Sequence, residues 1–229
     1  LFEQHHQNAI SQCTKCTISF TVPNFLSDIK VFCGNQKNLA GNPIQFQQIN
    51  QVSTMTTQQE ISAVQRVYDH FSKSRYKSFL KASDFYVPFF FGKKKRMAEF
   101  SKEYAPFAAA CFTEILRNQT AKDCGEPNEE LISAFVNKYV PEALKPAYDE
   151  YWTLICTEVD KNPEDARQIV SGLSTLFMYK LFGPNAEQPD PDILNSHRHQ
   201  VAMDFQVGSL MFEFTHGIKV VLEKEKKKK

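Results

Sequence analysis

Glycine is scarce in this chain, with eight residues in 229, about half the usual share in soluble proteins. Folds that wrap backbone closely around phosphates need glycine at fixed places. Neither GxGxxG nor GxxxxGK followed by Ser or Thr occurs, and GxSxG and HExxH are also missing. The usual sequence arguments for a dinucleotide fold, a P-loop, a serine hydrolase or a zinc peptidase therefore have no footing. Long apolar runs are lacking too. Mean hydropathy is −0.41, and no stretch of about 18 apolar residues reads as a membrane-spanning helix. Lys and Arg total 27 against 26 for Asp and Glu, a net charge of +1. That balance excludes a globally polybasic nucleic-acid protein and an acidic-tail protein. A chain of this length buries roughly 70% of its unfolded surface, so neither disulfide nor metal is required for folding.

Charge is also missing locally. Residues 1–59 carry five charged side chains, Glu3, Lys15, Asp28, Lys30 and Lys37, yet hold ten of the 16 glutamines and six of the 12 asparagines. Such a segment is a low-complexity linker or an arm lying on another surface. The expected organisation is an arm over 1–55 and an all-α domain over 56–229. Within the arm, Thr17-Ile18-Ser19-Phe20-Thr21-Val22 alternates polar with apolar, Pro23-Asn24 punctuates, and Ile29, Val31 and Cys33 alternate again. This pattern predicts a β-hairpin over 17–33, followed by loop to residue 55.

From Thr57 the period becomes helical. Thr57-Gln58-Gln59-Glu60 reads as a capping box, and Ile61, Val64, Tyr68 and Phe71 form one apolar stripe. Met97, Phe100, Tyr104, Phe107, Cys111 and Ile115 mark a second helix, which Pro106 should kink or begin. Cys124-Gly125 closes it. Pro127-Asn128 opens a short helix to about Tyr139, and Pro141 opens another bearing Leu144, Tyr148, Tyr151, Ile155 and Val159. Asn162-Pro163-Glu164-Asp165 starts a helix with Ile169, Leu173, Leu176 and Phe177 inward, stopped at Gly183-Pro184. Asp190-Pro191-Asp192 starts the last, in which Gly208 and Gly217 are candidate breaks. The expected fold class is mainly α: a five- or six-helix bundle-like domain preceded by an extended, partly β-hairpin arm.

Chemistry-bearing clusters are few. Cys13-Thr14-Lys15-Cys16, a strand-like return and Cys33-Gly34 resemble half of a zinc ribbon, because tetrahedral zinc takes thiolates two residues apart on a tight turn. His5 or, preferably, His6 is the candidate fourth ligand. The alternatives are a disulfide among these cysteines or free thiols, so the cofactor expectation is none or zinc. Cys111 and Cys156 sit on apolar faces as small hydrophobes, and a Cys111–Cys124 disulfide is an option in an oxidising compartment. Glu213 and His216 have the i, i+3 spacing of di-iron carboxylate sites, but no second such pair accompanies them. His197-Arg198-His199 reads as solvated surface and His70 as an edge residue. Asn118-Gln119-Thr120 is a glycosylation sequon.

Net neutrality conceals opposed blocks. Residues 66–102 sum to +7 and residues 122–165 to −7, a polarity that bears on partners rather than on fold. Inside the basic block, Phe85-Tyr86-Val87-Pro88-Phe89-Phe90-Phe91-Gly92 runs straight into Lys93-Lys94-Lys95-Arg96. The candidate interaction residues are Phe85, Tyr86, Phe89, Phe90, Phe91, Lys93, Lys94, Lys95 and Arg96. Aromatics beside cations suit a groove on a protein partner and, as a second choice, an anionic membrane surface; nucleic acid is not the expected partner. The start at Leu1 rather than Met is the mark expected of N-terminal processing, which favours an organelle interior, mitochondrial first, with secretion as the alternative. The functional expectation is a non-catalytic accessory subunit of a larger assembly, such as an organelle membrane complex. A zinc-binding or redox module on a helical domain is the first alternative, and a helical enzyme or apolar-ligand carrier the second.

Overall fold

The computed structural model of the protein describes residues 58–88, 91–161 and 166–227. Seven helices follow in order: α1 (Gln58–Ala82), α2 (Lys93–Cys124), α3 (Glu129–Tyr139), α4 (Lys145–Lys161), α5 (Ala166–Phe182), α6 (Pro191–Leu194) and α7 (His197–Lys226). The expectation of five or six helices behind a partly β-hairpin arm is thereby corrected. The described residues are all helical, with seven helices and no strand, and the hairpin over 17–33 lies outside them, as does the capping threonine Thr57. The extra helix comes from the expected last one. Asp190 caps α6, its carboxylate accepting from the amides of Asp192 and Ile193. Asn195 and Ser196 end that turn before α7 begins.

Boundaries follow local chemistry. Gly125 ends α2 at φ +83, a left-handed conformation costly for residues with a side chain. Asn128 caps α3 by accepting from the Leu131 amide at 3.1 Å. Pro106 neither starts nor divides α2, which runs through it. The alanines Ala108, Ala109 and Ala110 favour helix, and every side chain from Phe107 to Phe112 is fully buried. Burial outweighs the missing hydrogen bond. Gly208 and Gly217 likewise leave α7 unbroken.

The core is aromatic. The Tyr68 ring meets Phe112, Phe135, Tyr139 and Phe214, while Phe79 and Phe100 meet Tyr104 and Phe177. Each buried ring contributes about 2–3 kcal/mol through area alone, and edge-on pairs add about 1 kcal/mol. The phenols are satisfied inside: Tyr104 donates to the Ser72 carbonyl at 2.8 Å and Tyr68 to that of Ala105 at 3.5 Å. Burial pushes both hydroxyls well above the ordinary tyrosine value.

α1 and α7 lie side by side and antiparallel. Gly217 faces Val67 and Phe71, and Arg75 makes a two-pronged ion pair with Glu213, so numbers rise along one helix as they fall along the other. A β-carbon on Gly217 would sit 2.6 Å from Val67 Cγ1 and 2.8 Å from Phe71 Cε2. The helices approach this closely because nothing projects there.

Candidate functional site

The α1–α2 connection is clamped from beneath. Ser83 turns the chain out of α1, and Asp84 takes φ 53, a left-handed conformation that aspartate tolerates better than most residues. Phe85 then drops inward, 7% exposed, with ring centroids 5.4 Å from Phe100 and 6.0 Å from Phe182. The Arg96 guanidinium lies 4.0 Å over the Phe85 ring. Its Nε donates to the Tyr86 carbonyl at 3.2 Å, and its Nη1 donates to Glu99 Oε2 at 2.5 Å. Arginine fits this place because one planar cation can stack on a ring and fork its hydrogen bonds at once.

Two further contacts tie the loop to its neighbours. His199, in the first turn of α7, approaches Asp84 at 3.7 Å, and Lys95 bridges Glu99 and Glu187 at 3.7 and 3.6 Å. Burial pushes the Glu99 carboxyl up, but contacts with Glu187, Arg96 and Lys95 outweigh that and hold it below the ordinary glutamate value. The α1–α2 loop, the α5–α6 turn and the start of α7 therefore form one end of the helical domain.

On this base stand Tyr86, 70% exposed, and Phe91, 94% exposed. Lys93, Lys94 and Lys95 face solvent beside them, and Lys93 and Lys94 have no ion-pair partner among the described residues. The first turn of α2 carries four cations and no acid, after a Gly92 cap that offers no side-chain hydrogen bond. A helix N-terminus favours anions, so each such cation costs about 0.3–1 kcal/mol at the surface. A conflict between local preference and fold marks a place where something other than stability sets the sequence. The chemistry on offer is an apolar aromatic grip beside a cationic cluster that an acidic surface would neutralise.

The candidate interaction residues thus separate. Phe85 and Arg96 turn inward and hold the loop. Tyr86, Phe91, Lys93, Lys94 and Lys95 are presented, and Phe89 and Phe90 lie outside the described residues. Cys13, Cys16, Cys33, His5 and His6 also lie outside them, and among the described residues no group of three or more His, Cys, Asp and Glu side chains could hold a metal ion. Cys111 is a buried thiol and Cys156 a half-buried one. Burial pushes the Cys111 thiol far up, and Cys124 stands 13 residues along the same helix, about 20 Å away, beyond disulfide reach. Glu213 is engaged by Arg75. Thr120 of the sequon is buried and donates to the Leu116 carbonyl, while the Asn118 amide donates to Glu114.

Three features lie beyond what the sequence patterns were read to show. His199 is no solvated residue: it closes on Asp84, and its Nδ1 is buried without a hydrogen-bond partner. Ser174, fully buried, donates to Asp204, and Gln200 Nε2 donates to both at 2.9 Å. Burial raises the Asp204 carboxyl, and its hydrogen bonds to Ser174 and Gln200 offset this in part. With no base on the serine, this cluster is a polar clasp between α5 and α7. The third is an outward stripe on α7, Val201, Phe205 and Phe212, at 36%, 65% and 53% exposure; its spacing of four and seven residues was the available signal. Among the described residues no helix is long and apolar enough to cross a membrane. No protein-family model, curated protein or solved structure matches the chain.

Proposed function

We propose that this chain is a non-catalytic interaction subunit that binds another protein through the aromatic and lysine-rich end of its helical domain. The observation that carries the reading is Phe91, almost fully exposed on a loop whose base is fixed by Phe85 and Arg96. An exposed aromatic ring is the kind of side chain that anchors in a partner's pocket. Lys93 and Lys94 add the partner's chemistry: an acidic surface around an apolar hollow. Lys93 and Lys94, which have no ion-pair partner among the described residues, support an anionic partner, since its approach relieves their clash with the helix dipole.

The test is co-purification from native source with wild type, Phe91→Asp and Lys93→Glu/Lys94→Glu chains. Partners held by the wild type and lost from both variants, with unchanged melting temperature, support the reading. Equal retention by all three refutes it. Binding to phosphatidylserine vesicles that Phe91→Asp abolishes, with no protein retained, would assign the surface to membranes instead.

A further inference from the structure

Between α1 and α7, away from the loop, lies an open groove of about 400 Å³. Ala63, Val67 and Phe71 recur every four residues along α1 and floor it together with Val221 of α7. Gly217 of α7 stands against Val67 and Phe71, so the floor is built into the helix pair. Arg66 and His70 of α1 and Lys224 of α7 form the rim, all three exposed. Among the described residues no acidic side chain lines the groove. Neither Arg66 nor Lys224 has an ion-pair or hydrogen-bond partner among them. Nearby acids are turned elsewhere: Asp69 meets Lys73 at 3.7 Å, and Glu213 is held by Arg75. Glu223 precedes Lys224 and so projects about 100° round α7 from it.

We propose that this groove binds a small anionic amphiphile, a carboxylate on a short acyl chain. The tail lies on Val67, Phe71 and Val221, and the headgroup sits between Arg66 and Lys224. Size supports this first, because small-ligand sites measure about 300–1,000 Å³ and combine an apolar lining with a few convergent polar groups. Charge supports it second. Arg66 and His70 are four residues apart, with Cβ atoms about 5–6 Å from each other, and Lys224 joins them from the facing helix. Basic groups gathered without an acid repel one another, and a bound anion removes that repulsion. A guanidinium donates two parallel hydrogen bonds to a carboxylate, and an ammonium adds a point charge. The apolar floor supports it third. A fully buried methylene tightens binding about fourfold, and one covered on a single side about twofold, so the six methylenes that separate octanoate from acetate amount to about fiftyfold.

This inference is independent of the loop's role, since Phe71 lies eleven residues, about 16 Å of helix, before α1 ends at Ala82. The test is isothermal titration of the full chain with octanoate, acetate and octanol. Octanoate is expected to bind one to one, about fiftyfold tighter than acetate and about tenfold tighter than octanol, which lacks the charge. Arg66→Gln/Lys224→Gln, two exposed positions, should weaken octanoate about tenfold with an unchanged circular dichroism spectrum. Methyl resonances of Ala63, Val67 and Val221 should shift on adding octanoate to the wild type. No octanoate binding at millimolar concentration overturns the proposal, as does octanol or acetate binding as tightly as octanoate. Wild-type affinity in the double variant, or shifts confined to other residues, overturns it equally.

Discussion

Replacing Phe85 by alanine removes the ring on which the loop's base is assembled. The side chain is 7% exposed, meets Phe100 and Phe182, and carries the Arg96 guanidinium on its face. Phenylalanine-to-alanine changes in cores cost about 3–5 kcal/mol, and the stacked cation accounts for about 1 kcal/mol of such a loss. The site lies at the edge of the core and can partly close, so the lower figure, about 3 kcal/mol, applies. For a domain of this size that lowers the melting temperature by about 6–12 °C. Phe91→Ala supplies the internal comparison. The same chemical change at a ring 94% exposed should shift stability by no more than about 0.5 kcal/mol. Thermal and urea unfolding followed by circular dichroism read both. If Phe85→Ala unfolds at the wild-type midpoint, or Phe91→Ala costs as much as Phe85→Ala, then the division between a holding and a presented ring is wrong.

Other substitutions probe the scaffold. Gly217→Ala should destabilise by about 1–3 kcal/mol, because the new β-carbon meets Val67 and Phe71 below 3 Å. Gly208→Ala, with nothing within 4 Å, should stabilise by up to about 1 kcal/mol through helix propensity; chemical denaturation of the two variants must give opposite signs. Glu213→Gln should cost about 1 kcal/mol after allowing for the partial exposure of the Arg75 pair, a loss that double-mutant analysis with Arg75→Met would assign to the pair. Asp204, whose carboxyl is raised in the fold, binds a proton more tightly folded than unfolded. Its burden is therefore full at neutral pH and vanishes as pH falls through its folded value towards 3.8. Asp204→Asn should match or exceed wild-type melting temperature at pH 7, with the gap closing on acidification; a gap that widens would contradict the sign.

Much of the scaffold is written in short-range signals. The stripe Phe100, Tyr104, Phe107, Cys111 and Ile115 is buried along α2 as its spacing requires, and Asn128, Gly125 and Gly183 act where their chemistry places them. Longer-range facts are less visible. Pro106 reads as a kink or a start because the proline rule is local, whereas the burial that carries α2 through it comes from other helices. Gly217 reads as a break because its reason is the nearness of α1. At the candidate site, the aromatic and lysine residues are conspicuous in sequence. Their division is not: only the fold shows that Arg96 is spent on Phe85 and Glu99, leaving Phe91 and Lys94 outward. His199 looks solvated until Asp84, 115 residues earlier, is brought beside it.

Native mass spectrometry of the material isolated through this chain tests the central claim most directly, with wild type and Phe91→Asp run side by side. A wild-type mass exceeding that of the 26.3 kDa chain by a defined partner, and a variant found alone, is the predicted result. Two identical spectra, each showing the chain alone or each showing the same complex, would contradict it.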